Sequence, residues 1–139
     1  MASGKQHDCS IAYTTPIYGL AAAWLTGSVG YGLLSAIAFL WSGFWLSPDL
    51  DIHSDPYKRW LILRWCWLPY QKLIPHRSVW SHGIGIGSQL RILYVCAWLA
   101  LLGFGGAIVQ LVTQYPKECL VLAIACEASA LVHLFMDCK

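Results

Sequence analysis

The chain has 139 residues, room for one compact domain, and 58% of them are hydrophobic while only 12% are charged. A soluble domain carries roughly 25% charged residues, so water cannot be the solvent for this whole surface and lipid must cover much of it. The net charge of +2 is too small to argue for a nucleic-acid partner, and six cysteines without a C-x-x-C pair, at positions 9, 66, 96, 119, 126 and 138, argue against a thiolate zinc site or a secreted disulfide scaffold.

The first ten residues are polar and include Lys5, His7 and Asp8. An apolar stretch then runs from Ile11 to Thr26, longer than the 7–15 residues of a signal-peptide core, and reads as a retained membrane helix. A second stretch runs from Val29 to Leu46, and the short Gly27–Gly32 link predicts a helical hairpin turning at Gly27-Ser28 or Gly30. From Ser47 to Gln89 the chain is polar and aromatic, with Tyr57-Lys58-Arg59-Trp60, Arg64-Trp65-Cys66-Trp67 and Tyr70-Gln71-Lys72. That alternation fits an interfacial helix, with rings at headgroup depth and cations toward anionic lipid. Two further apolar stretches follow, Leu90–Val112 and Glu118–Met136, each long enough for the ~20 residues that cross a bilayer. The expectation is an all-α membrane protein, a single domain over residues 1–139. It has about four transmembrane helices, with an aromatic-basic interfacial helix between the second and third.

Charge sets an orientation. Eight of the nine Lys and Arg residues (Lys5, Lys58, Arg59, Arg64, Lys72, Arg77, Arg91 and Lys139) fall on one side of this arrangement, and only Lys117 falls on the other. The positive-inside rule then predicts an integral membrane protein with both termini and the central segment in the cytoplasm.

The same arrangement gathers the chemistry-bearing residues. His7 and Asp8 precede the first helix, and Asp49, Asp51 and His53 follow the second. His76 and His82 precede the third helix, and His133 and Asp137 end the fourth. All five histidines and four of the five aspartates thereby share one membrane face. Imidazole and carboxylate are the usual ligands of zinc, manganese and iron. Asp49, Asp51 and His53 alternate, so an extended segment would point them to one side. His133 and Asp137 lie four apart on one helix face. Arg77 and Ser78, between His76 and His82, are suited to an anionic group such as phosphate. Clustering ionisable groups at a membrane is costly without function.

Two features stand apart. Glu127 lies inside the fourth helix, about 15 Å deeper than Asp137 by helical rise, either as a functional carboxylate or as a protonated group bonded to Ser35 or Ser42. The Gly83, Gly85 and Gly87 alternation lacks the preceding strand of a phosphate loop and predicts a flexible or close-packed helix entry.

Four motifs, Ser3-Gly4-Lys5-x-His7-Asp8, Pro48-Asp49-x-Asp51-x-His53, His76-Arg77-Ser78-x-x-Ser81-His82 and His133-x-x-x-Asp137, span nearly the whole chain. Together they resemble the YdjM-like metal-dependent hydrolases of bacterial membranes, and more closely a related group of uncharacterised metal-binding membrane proteins. Ile52 separates Asp51 from His53 where that hydrolase group has none, and Ser81 stands where it has Thr. The resemblance implies a helical protein of a bacterial inner membrane or its equivalent, with a divalent metal, zinc first and manganese or iron next. Its ligands would come from His7, Asp49, Asp51, His76, His82, His133 and Asp137. His53 would orient a ligand or act as a base, and Arg77 would bind a substrate anion. The leading expectation is hydrolysis of a phosphoester or other ester, including one on a lipid, at the cytoplasmic face. A metal-stabilised subunit or assembly factor docking a membrane protein partner is the alternative, and an ion carrier using Glu127 is a third.

Overall fold

The computed structural model describes residues 3–137, and among them every regular element is helical. Helix α1 spans Gly4–Thr26. A capping box starts it: the Ser3 hydroxyl accepts from the Gln6 amide, and the Gln6 side chain accepts from the Ser3 amide at 2.6 Å. The helix therefore begins before the apolar stretch, and His7 and Asp8 lie within it rather than ahead of it. Pro16 sits inside α1, where Thr14 and Thr15 donate their hydroxyls to the carbonyls of Ser10 and Ile11 at 2.7 Å.

Gly27, at φ 64°, ends α1 in the left-handed conformation, and the Ser28 hydroxyl caps α2, Val29–Trp45. This is the hairpin expected at Gly27-Ser28. Its two arms approach through small residues. A Cβ on Gly19 would meet that of Ala36 at 2.8 Å, and one on Gly32 would meet that of Ala23 at 2.5 Å. Close approach at small residues is how helices associate where lipid removes the hydrophobic drive.

After α2 the chain breaks into short pieces instead of the single interfacial helix expected. A 3₁₀ turn, Pro48–Asp51, precedes α3 (Asp55–Arg59), a 3₁₀ stretch (Leu61–Trp67), α4 (Leu68–Leu73) and α5 (Val79–His82). Pro56 and Pro69 stand in the first turns of α3 and α4 and Pro75 follows α4, each lacking the amide hydrogen that would continue a preceding helix, while the break after α3 falls at Leu61, at φ 49°. Nor is the segment wholly peripheral. Tyr57, Trp67 and Tyr70 are buried with Leu46, Leu50 and Cys126 in one core cluster, while Leu61, Ile62 and Trp65 stay exposed. Arg59 ties this segment to the helices by an ion pair with Asp8 and a 3.0 Å bond to the Phe44 carbonyl.

The last third contains α6 (Ile86–Leu99), a π-type turn (Ala100–Phe104), α7 (Gly105–Gln114) and α8 (Pro116–Asp137). Gly103, at φ 94°, interrupts what the apolar pattern presents as one helix. Helix α8 packs on α2 through a buried Ser42–Ser129 hydroxyl pair at 2.8 Å and through Phe39 and Ala125. Among the described residues, three helical segments are long and apolar enough to cross a membrane: 29–51, 86–114 and 116–137. Helix α1 has the length, but its threonines, tyrosines and proline leave it less apolar, so the expected count of four is met by three. The five described cysteines are free.

Candidate metal centre

The site is built where α1, α8, the turn after α2 and the α4–α5 region meet. Leu50, fully buried, anchors the 3₁₀ turn from within. From outside, Gln71 donates to the carbonyls of Leu50 and Ile52 at 3.0 and 2.9 Å, and the Ser54 hydroxyl donates to that of Asp49 at 2.6 Å. With its backbone so held, the turn presents Asp49 and Asp51 to the helices. The alternation of Asp49, Asp51 and His53 is therefore not expressed as an extended segment. His53 lies exposed and stacks on Tyr57, ring centroids 4.9 Å apart, outside the cluster.

Helix α8 supplies His133 and Asp137, one turn apart on one face, with His133 Nε2 3.6 Å from Asp137 Oδ2. Ser47 orients the His133 ring by contacting Nδ1 at 3.3 Å. Helix α1 supplies His7, whose Nε2 lies 3.3 Å from Asp137 Oδ1 and whose ring stacks on that of His133 at 4.0 Å. His82, the last residue of α5, has Nε2 3.7 Å from Asp49 Oδ1 and Nδ1 3.5 Å from Asp51 Oδ2, while Ser81 Oγ contacts the same Nδ1 at 2.9 Å. His76 meets Asp51 at 2.8 Å from the more exposed side. Arg77, half-exposed and held at φ 59°, brings its guanidinium to 3.9 Å from Asp137 at the rim.

Two overlapping donor groups result. In one, ligand atoms of Asp49, His82, His133 and Asp137 lie within 4.8 Å of one another; in the other, so do those of Asp51, His76 and His82. Every residue of the sequence-derived ligand pool takes part or, like His7, touches a member. Asp8 does not, since it pairs with Arg59.

Several of these buried atoms make no hydrogen bond: His7 Nδ1, Asp51 Oδ2, His82 Nε2 and His133 Nε2. Buried polar atoms are nearly always satisfied, and Asp51 Oδ2, His82 Nε2 and His133 Nε2, left open within the two donor groups, are what bound ions would resolve. Burial, reinforced by the neighbouring His133, also holds the His7 pKa below its ordinary value, favouring the neutral ring that a metal needs. Among the described residues the donor set is nitrogen and oxygen without thiolate, which fits zinc, manganese or iron.

Residues 2–139 match the family described as Uncharacterized metal-binding protein (DUF2227). The chain belongs to this family. A metal-binding family and a convergent His/Asp cluster thus agree. Over 66 residues the chain is also 35% identical to an uncharacterised protein of Aquifex aeolicus (strain VF5). That stretch is 47% of this chain and 46% of the relative, so the match spans less than half of the relative's length. No solved structure matches.

Sequence reasoning missed most supports of this donor cluster. Ser47, which contacts a ring nitrogen of His133, carries no signal beyond preceding the second motif, whereas Ser81, which contacts one of His82, is part of the third motif but had no role assigned to it. Glu127 was assigned two candidate partners, Ser35 and Ser42, and has neither; it bonds to Gly85 and Ser88. The glycine alternation is a close-packed helix entry, since a Cβ on Gly87 would meet the Ser81 carbonyl at 2.4 Å.

Proposed function

We propose that this protein is a membrane-embedded, divalent-metal-dependent hydrolase of a phosphoester or other ester, with lipid esters the natural class for a site at a membrane face. The observation that carries the reading is the meeting of buried, unpartnered imidazole and carboxylate atoms from four separate segments beside a half-exposed cation. The two donor groups hold six side chains between them, with His82 common to both, and so exceed the four ligands usual for one zinc ion. This supports two adjacent ions, one among Asp49, His82, His133 and Asp137 and one among Asp51, His76 and His82. A divalent cation bound there lowers the pKa of water and polarises a phosphoryl or carbonyl oxygen. The chain's own contribution is positioning. Asp51 orients His76 and His82, Ser47 and Ser81 fix their neighbouring rings, and Arg77 at the rim binds the anionic group of the substrate.

In this reading residues 11–26 of α1 form a fourth span, and both termini and the site face the cytoplasm, as the charge bias requires. The test is elemental analysis of detergent-purified protein together with hydrolysis of model phosphoesters and carboxylic esters. Stoichiometric metal and a turnover abolished by chelation support the reading; full turnover by metal-free protein sinks it. A non-enzymatic, metal-stabilised subunit is favoured by one observation, that the same donors tie together the beginning, middle and end of the chain. A closed coordination shell without water separates it from an enzyme, whose ion keeps an open position.

A further inference from the structure

Glu127 is half-buried on α8, six residues before His133 and thus about 9 Å deeper along the helix, outside the donor cluster. Both of its carboxylate oxygens are engaged by one element. One accepts from the Gly85 amide at 2.7 Å and the other from the Ser88 hydroxyl. Gly85 is the residue that begins α6, it stands at φ 76°, and no side chain of its own segment caps that helix. Glu127 therefore caps α6 from a different helix, satisfying an amide that the helix leaves open.

The same end of α6 grips the residue that delivers His82. Gly87 lies so close to Ser81 that a Cβ there would meet the Ser81 carbonyl at 2.4 Å. Arg91, wholly buried, donates to that carbonyl at 2.7 Å. Gly83 packs on the Val79 carbonyl with equally little room. The buried face of α6 is Gly87, Ser88 and Arg91, so it is spent on holding the end of α5 on one side and Glu127 on the other. His133 and Asp137 are carried by the helix that carries Glu127. One rigid helix thus presents two ligands and also fixes the element that presents a third.

We infer that Glu127 is a positioning residue for the metal centre: by clamping the start of α6 to α8, it sets where His82 stands relative to His133 and Asp137. It touches no ion. The inference rests on the metal-centre reading above and assigns that site a support from inside the membrane-spanning part of the fold.

Cobalt(II) is a suitable probe, because its visible absorption reports the ligands and geometry around it. The full chain in detergent is titrated with cobalt as parent, Glu127→Ala, Glu127→Gln, Ser88→Ala and His82→Ala. Loss of an outer support typically weakens metal binding roughly 10–100-fold, and Glu127→Ala is expected in that range, with its spectrum displaced toward that of His82→Ala. Glu127→Gln keeps an oxygen for the Gly85 amide and an amide group for the Ser88 hydroxyl, so its affinity and spectrum should stay close to the parent's. Ser88→Ala removes one of the two bonds and should shift both readouts part-way, which carries the test if Glu127→Ala does not fold. Parental affinity and spectrum in both Glu127→Ala and Ser88→Ala overturn the inference. So does a Glu127→Gln variant as impaired as Glu127→Ala, since charge rather than position would then matter. A parent that binds no cobalt overturns the metal-centre reading as well, so the two failures are told apart.

Discussion

The rings of His7 and His133 stack 4.0 Å apart and 17° from parallel, although one lies in the first turns of α1 and the other near the end of α8. Both touch Asp137, and each leaves a buried nitrogen without a hydrogen bond. Two cationic rings would repel in this arrangement, whereas two neutral rings stack and offer lone pairs. Stacking and ligation can be separated by mutation. His7→Phe keeps a flat ring against His133 and removes the nitrogens. It is expected to retain helical content and thermal stability close to the parent's, while metal content in the purified protein falls. His133→Ala is expected to lose the ion held with Asp49 and Asp137 and to keep at most the one held by Asp51, His76 and His82. Elemental analysis beside thermal unfolding in detergent separates the two effects. Full metal content in His133→Ala would remove that residue from the ligand set.

Asp51 and His53, two residues apart, are expected to behave oppositely. Asp51 has a fully buried side chain that contacts both His76 and His82, so Asp51→Asn leaves two imidazoles without their carboxylate. Removing one partner of a buried charged contact costs about 3–5 kcal/mol where the remaining group stays charged. A large loss of metal affinity is expected along with some loss of stability. His53→Ala removes only an exposed stack on Tyr57, and its metal content and unfolding temperature should match the parent's. Metal loss in His53→Ala equal to that in Asp51→Asn would contradict the geometry described.

The contrast between these two residues also marks what was legible beforehand. The clustering of His7, Asp49, Asp51, His76, His82, His133 and Asp137 followed from counting, charge sidedness and motif order, all of which are sequence properties. The exclusion of His53 was foreshadowed by Ile52, whose extra residue moves the histidine beyond the 3₁₀ turn. The true start of α1 is also written locally, as Ser3 and Gln6 three residues apart, although the apolar run begins only at Ile11. The partners of Glu127 were of another kind. Gly85 and Ser88 lie about forty residues earlier, and no local pattern says which of several hydroxyls a carboxylate will meet once helices pack. The break at Gly103 belongs to the same class, since an apolar run with a glycine reads equally as a straight or an interrupted helix.

The α1–α2 hairpin offers a test of fold independent of metal. At Gly32 an added Cβ would press on Ala23 Cβ at 2.5 Å and on the Gly19 carbonyl at 2.8 Å, while at Gly30 it would meet only the Ser28 hydroxyl at 3.6 Å. Gly32→Ala is therefore expected to destabilise by about 1–3 kcal/mol, the usual cost of overpacking a close contact. Gly30→Ala should be neutral or slightly stabilising, since alanine favours helix by about 1 kcal/mol over glycine. Thermal unfolding of both variants in the same detergent decides the matter, and equal stability of the two would refute the close approach of the helices.

Sidedness can be read from thiols already in the chain. Cys9 is free and exposed near the start of α1, at the end of the molecule that carries His7, and Cys119 lies in the first turn of α8, at the opposite end of that helix from Asp137. If the positive-inside bias governs insertion, these two thiols face opposite sides of the membrane. In a Cys66→Ser, Cys96→Ser, Cys126→Ser and Cys138→Ser background, a membrane-impermeant maleimide added to sealed right-side-out vesicles should label Cys119 and spare Cys9. Inverted vesicles should give the reverse, with Cys9 labelled from the face where the donor cluster gathers. Labelling of both thiols from one side would mean that α8 does not cross the membrane as drawn. Labelling of Cys9 only in right-side-out vesicles would put the metal site on the outer face.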